Sequence, residues 1–442
     1  MNTLNEFEEL INYNINYDVV KRKIDNNNTI YYLSSLVNNE IVNYLIEGML
    51  KKLKNFLNGS IVKDNDLKNV TTFFFSGCLI IYSNDEFFIV ETRNYPSRSI
   101  NESESEKSLK GSHDGFNESI LTNTALIRRR IKSKDFRCEL VKIGKQSKTD
   151  ISINYIDGLA SKELIHKIKK RLNEINIDSL ILADKALAEI IFEQNYQIYP
   201  KVRFSERPDI ASIHLLKGYV VLLVDTSSSC IIVPTSFFEL NEQLEEYQLP
   251  PFVSSFNRFF RFLCFFIGVY LLPIWFILCL DNKSDFKTII ILKDIDRKTL
   301  FLQVLSIQIF LNAIRLASFN STSILSTTMS LFASIILSDV AIKTGLLSSE
   351  VVFYAALSSI CTYAISNYET SRAMALWNII LTISVGLFFK IGFIIFATIM
   401  FISMVTIHSF DISYLYPFIP FNFKELLFKF YKLPYKEKNK IK

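Results

Sequence analysis

The sequence predicts two small mixed α/β subdomains in a water-exposed N-terminal region, followed by an all-α membrane domain of four to six spans. Three observations carry that expectation. Charged residues make up 21% of the chain, yet they crowd into the part before residue 259 and into a lysine-rich tail. At that boundary begins Phe259–Leu280, whose only charge is Arg261, a run that matches the about 20 apolar residues needed to cross a bilayer. Upstream, strand-like and helix-like segments alternate, the pattern of layered α/β or α+β architecture.

The elements follow in order. Residues 1–58 read as two helical stretches around Asn26-Asn27-Asn28, with Leu33, Leu36, Val37, Ile41, Tyr44, Leu45 and Leu53 on one apolar face. Thr71–Tyr82 and Glu86–Thr92 read as a hairpin about Ser83-Asn84-Asp85. Beyond a polar loop come a helix at Asn117–Ile131, strands at Phe136–Ile143 and Asp150–Ile156, and a helix at Ser161–Ile175. Helices at Lys185–Gln194 and Asp209–Leu216 and strands at Tyr219–Asp225 and Cys230–Val233 complete the region. The divisions expected are an N-terminal helical segment at 1–70, a cytoplasmic α/β domain at 71–258, a transmembrane domain at 259–410, and a basic cytoplasmic tail at 411–442.

Further apolar runs occupy Ser321–Ile342, Val351–Tyr368 and Leu376–Phe410. The last is too long for one straight span, so it bends near Lys390 and Gly392 or forms a tight two-span hairpin. Thr299–Leu316 carries Thr299, Gln303 and Ser306 on one side but Gln308, Asn312 and Arg315 on nearly the opposite side. That switch reads as a re-entrant or kinked helix buried among neighbours. Thr322, Ser326, Ser330, Ser334 and Ser338 recur every four residues, and this stripe serves either close helix packing or a hydroxyl-lined water path. Asp339 and Lys343 close the same span at i and i+4. With Gln308, Asn312 and Arg315 they are the candidate membrane-embedded polar residues.

Composition narrows the function classes. No cleavable apolar leader precedes the acidic N-terminal stretch, and lysines crowd beyond the last span, so both termini are expected in the cytoplasm. The basic tail points to an anionic membrane surface and not to nucleic acid. Six scattered cysteines and four isolated histidines give no metal-ligand spacing, and neither a metal nor a cofactor is expected. No nucleophile motif or metalloprotease signature appears, so the chain does not read as an enzyme.

The loop Tyr95–Ile131 resembles a signature of the GerA-type spore germinant receptor A subunits. It carries Pro96, Arg98, Glu106, Gly111, Asp114, Gly115, Phe116, Asn123, Ala125 and Arg128–Ile131 in order. Ser205-Glu206-Arg207-Pro208-Asp209 and Val224-Asp225-Thr226 with Ile232–Phe238 are similar to two further family motifs. Gly144–Asp150, Leu182–Ala186 and Leu271–Phe276 look more like its stage V sporulation AF branch.

The resemblance implies a multi-pass protein of the spore inner membrane. It would be a subunit of an oligomeric monovalent-cation channel acting in germination, or else a non-conducting assembly or regulatory subunit of the receptor and dipicolinate-release machinery. Its implied partners are membrane lipid, further copies of itself, and other germinant-receptor or sporulation membrane subunits. Gly111, Gly115, Asn123, Arg128, Arg130, Glu206, Arg207, Pro208 and Asp209 would be structural. The arginines at 128–130 are expected to pair with carboxylates such as Glu206 or Asp209, joining the two subdomains.

Overall fold

The computed structural model describes residues 3–25, 28–50, 61–95, 112–192, 197–243, 245–281, 296–320 and 336–432. Two compact units emerge, one from Met1–Asn195, Lys201–Thr235 and Ser409–Ile412, the other from Tyr196–Pro200, Ser236–His408 and Ser413–Lys442.

The first unit holds two sheets. One is assembled from α1 (Thr3–Ile11), β1 (Val19–Lys23), β2 (Asn28–Leu33), α2 (Asn39–Leu50), β3 (Ile61–Lys63), α3 (Leu67–Phe75), β4 (Leu79–Ser83) and β5 (Glu86–Val90). Its strands run antiparallel in the order β1-β2-β4-β5-β3. The hairpin read from sequence is β4–β5, and its turn residues Asn84 and Asp85 both take positive φ, as a tight two-residue turn requires. Phe7 of α1 sits edge-on to Tyr31 and Phe74 at 5.5 and 5.9 Å, sealing the helices to the sheet.

Two readings change here. The stretch between α1 and α2 forms the hairpin β1–β2, where helix was expected. Thr71–Phe75 closes α3, where strand was expected, because Asp66 caps that helix by accepting from Lys68 N.

The second sheet comes from α4 (Ile120–Arg130), β6 (Phe136–Ile143), β7 (Thr149–Ile156), α5 (Lys162–Glu174), α6 (Ala183–Phe192), β8 (Arg203–Ser205), α7 (Pro208–Leu216), β9 (Val220–Val224) and β10 (Cys230–Val233). Its order is β6-β7-β9-β10-β8, again antiparallel. Nearly every element lies within a few residues of its expected place. The exception is β8, whose three residues are too short to show a period. Helices cover both faces, so β9 is buried along its whole length and reads as an unbroken apolar run.

The second unit is helical: α8 (Phe237–Leu240), α9 (Glu245–Gln248), α10 (Pro251–Leu280), α11 (Arg297–Asn320), α12 (Ser349–Tyr363), α13 (Tyr368–Val405) and α14 (Phe423–Phe430). Among the described residues, α10, α11 and α13 are long and apolar enough to cross a membrane. The expected span at Val351–Tyr368 is instead the 15-residue α12, which ends at Tyr363. Ser321–Ile342 lies mostly outside the described residues, which resume with a π-helical turn at Ile336–Ala341.

The long run Leu376–Phe410 resolves as two arms. Phe389 leaves helical geometry at φ 56° and ψ −138°. Beyond it the chain folds back, bringing Gly392 so close to Ser384 that a Cβ there would overlap the Ser384 carbonyl oxygen. Met400 and Met404 then share one buried cluster with Met374, Trp377 and Leu381 of the first arm. The reversal is possible because Gly392 has no side chain at the point of closest approach.

Helix α11 departs from expectation in being one continuous helix. Its polar residues occupy two sides because it has neighbours on two sides: Gln303 meets Ser348 before α12, and Gln308 meets α13.

Candidate functional site

The helical unit carries a polar layer built around a defect in α10. Proline at 273 has no N–H, so the Val269 carbonyl four residues earlier loses its helical donor. In a hydrocarbon surround such a group needs another partner. Asn378 of α13 supplies it, donating its amide to Val269 O at 3.0 Å and to Gly268 O at 2.7 Å. Ser358 of α12 donates to the same Gly268 oxygen at 2.8 Å. Gly268 makes this approach possible, since a Cβ there would lie 2.9 Å from Met374 Cε and 3.1 Å from Thr362 Cγ2.

The hydrogen bonds fix every amide in this layer. Both Asn378 N–H groups are committed to backbone carbonyls and to Ser358, so its Oδ1 faces α11. There it accepts from Gln308 Nε2, which also donates to Thr382 Oγ1 at 2.9 Å. Gln308 Oε1 is thereby turned away, 95% of its residue buried, with no hydrogen-bond partner among the described residues. It borders a cavity of about 20 Å³ shared with Asn312, Arg315, Ser358 and Asn378, room for about one water. At the end of α11 that faces the start of α13, Arg315 donates to Ser371 Oγ at 2.7 Å. Its guanidinium lies over the Tyr363 ring at 4.6 Å.

Three expected polar residues, Gln308, Asn312 and Arg315, thus meet in one place. Asn378, Thr382 and Ser358 were not anticipated. The signal that would have found them is the interior Pro273, which obliges some neighbouring side chain to donate to a freed carbonyl. Replacing Asn378 with leucine leaves that carbonyl unpaired and removes one of the two acceptors of the Gln308 amide, Thr382 remaining. Thermal unfolding in detergent should show a loss of about 1–2 kcal/mol, the scale of strong interhelical hydrogen bonds in membranes. An unchanged midpoint would show that the layer contributes nothing to stability.

The remaining expected positions fall elsewhere. Thr322, Ser326, Ser330 and Ser334 lie outside the described residues, as does Gly111. For Ser338 and Asp339 only the backbone is described, within the π-helical turn, and Lys343 is exposed beyond it.

In the first unit the loop and helix motifs come together, but with different partners from those expected. Arg128 does not reach Glu206 or Asp209. It forms a fully buried pair with Asp18, Nε to Oδ2 at 2.5 Å and Nη2 to Oδ1 at 2.7 Å. Its guanidinium stands over Phe136 at 5.0 Å. The Cys138 thiol donates to Asp18 Oδ1 at 3.1 Å, and burial holds it protonated by pushing its pKa well up. Arg130 pairs instead with Asp114 at 2.6 Å, and Arg207 with Asp209 at 2.9 Å and with the Ser112 carbonyl. Buried Gly115 precedes Phe116, whose N–H donates to Glu206 O at 2.7 Å. Asn123 clasps the backbone of Asn117 through both ends of its amide, and Pro208 opens α7. The arginine at 128 therefore ties the second sheet's α4 to the segment leading into β1, while Arg130 and Arg207 fasten the Ser112–Asp114 loop of the first motif.

A mixed α/β region joined in sequence to a helical unit with three bilayer-length apolar helices defines a membrane protein. The sequence profile of the Bacillus/Clostridium GerA spore germination protein family matches residues 5–442, and the chain belongs to that family. It is 35% identical to stage V sporulation protein AF of Bacillus subtilis, over 95% of this chain and 90% of that protein. It is 25% identical to spore germination protein A1 of the same organism, over 98% and 96%. It also resembles the crystal structure of the N-terminal domain of the A subunit of the Bacillus megaterium spore germinant receptor GerK3. That match has 26% identity and a TM-score of 0.40, covering 53% of this chain and 94% of that one.

Proposed function

We propose that this protein is a subunit of an oligomeric channel of the spore inner membrane that passes monovalent cations during germination. The observation that carries this reading is the polar layer inside the apolar helices, with a proline-freed carbonyl and an arginine at its edge. Ionisable groups within membrane spans are rare and commonly mark ion or substrate pathways.

The described helices run in both directions through the unit. Phe276 stacks on Phe301, so α11 returns alongside α10. Ser348 lies beside Gln303, while Tyr363 lies beside Arg315, so α12 runs parallel to α11. With both termini on the spore-core side, as the lysine-rich tail favours, the crossings are even in number, four or six.

A second reading, a non-conducting assembly or regulatory subunit, is favoured by one observation. The polar layer closes on itself and leaves only about 20 Å³ within one subunit. Conduction would then need a path between copies, where the stripe Thr322, Ser326, Ser330, Ser334 and Ser338 is the candidate wall.

Potassium efflux from liposomes holding the purified protein, with oligomer size measured on the same sample, separates the two. The channel reading expects efflux from a defined oligomer that falls when leucine replaces Ser334. A well-assembled oligomer that passes no potassium, alone or with co-purified spore membrane partners, would leave the assembly reading.

A further inference from the structure

Helix α10 is longer than a bilayer requires. Thirty residues span about 45 Å, against about 30 Å of hydrocarbon. Its first turns nevertheless expose Phe252, Phe256, Phe259 and Phe260. Against these turns lies α14. Phe430 meets the Phe262 ring at 5.1 Å, Arg258 reaches the Phe428 and Lys429 carbonyls, and Lys432 N donates to Ser255 Oγ at 2.9 Å. Lys429 pairs with Glu239 at 2.7 Å. The helix is thus held to α10 by its backbone and by Phe430, although none of its residues is buried.

What the clasp leaves open is apolar. Phe423, Leu426, Leu427, Phe430 and Tyr431 form one stripe and, with Phe259, line a groove of about 290 Å³ whose surface is almost wholly apolar. At 100° per residue Lys424 stands at the edge of that stripe and Glu425 at its back. From Phe423 onward the sequence carries seven lysines against two glutamates. An apolar groove continuous with a membrane-crossing helix and bordered by Lys424 has the chemistry of an interfacial lipid site.

We propose that this groove holds an acyl chain of an anionic bilayer phospholipid, with its headgroup at Lys424. The α14 helix then lies in the headgroup layer as an interfacial strut. The site does not depend on whether the protein conducts ions.

The test uses the full chain in nanodiscs, with tryptophan placed at Leu427 and, in a separate protein, at Phe423. Either phosphatidylglycerol or phosphatidylcholine is brominated at mid-chain, in otherwise identical lipid mixtures. Quenching beyond that of the parent should be about fivefold more effective with brominated phosphatidylglycerol, the preference one interfacial lysine supplies. Lys424→Gln in the same reporters should remove most of that preference. Equal quenching by both lipids overturns the proposal, as does a preference untouched by Lys424→Gln. Absence of added quenching at both reporters also overturns it, and would mean that another protein surface covers the groove.

Discussion

Replacing Arg128 with methionine should destabilise the N-terminal unit by about 3–5 kcal/mol, the cost of stranding a buried charge. Asp18 is fully buried, and its carboxylate accepts from Arg128, the Cys138 thiol and Ser35. With the guanidinium gone, no other cation among the described residues pairs with it. The double replacement Arg128→Met with Asp18→Asn should recover most of the loss, because the stranded charge is then removed as well. Urea unfolding of the full chain in detergent, followed by far-ultraviolet circular dichroism, measures both. A single-variant loss under about 1 kcal/mol, the range of an exposed pair, would refute the account.

The same pair sets an acid limit. Burial alone would raise the Asp18 pKa, but the Arg128 charge and the hydrogen bonds outweigh it and hold the carboxyl below its ordinary value. A depressed carboxylate contributes its full stabilisation above the unfolded pKa, about 3.9, and loses it as the pH falls through the folded value. The contribution should therefore be constant near neutrality and vanish only in strong acid. In the Asp18→Asn variant this acid-dependent component should be missing.

Leucine at Gly392 should cost about 3 kcal/mol, at the upper end for forced overpacking. The obstruction is backbone: a Cβ would overlap the Ser384 carbonyl oxygen and lie 2.8 Å from Phe388 Cβ. Neither can move without opening the reversal at Phe389. Gly386 offers the contrast. There the three atoms nearest a Cβ all belong to the Phe301 ring, a side chain able to swing aside, so Gly386→Ala should be milder. Trp377 shares its buried cluster with Met400 and Met404, and its emission reports whether the second arm stays in place. A red shift and a lowered unfolding midpoint are expected for Gly392→Leu. Native emission at an unchanged midpoint would mean that the two arms do not depend on this contact.

Much was legible in the sequence because it was local. Apolar length marked α10 and the paired arms of α13, and the periods of two and 3.6 marked β6, β7, α5 and β10 nearly to the residue. Ordered motifs marked the family. Local signals failed where the deciding partner is distant in sequence. The strands β1 and β2 look helical until β4 pairs with β2, which in turn pairs with β1. The two-sided polarity of α11 looks like a kink until α13 and the residue before α12 are seen on either side.

The candidate site divides the same way. Gln308, Asn312 and Arg315 stand out as polar groups in an apolar stretch, which composition alone reveals. That Asn378 answers the carbonyl freed by Pro273, and that Arg128 finds Asp18 at a separation of 110 residues, are facts of tertiary packing. A hydrogen-bond donor has no preference among distant acceptors until the fold buries one of them beside it. The sequence by itself determined which groups need partners; only the folded chain decided which partners they have.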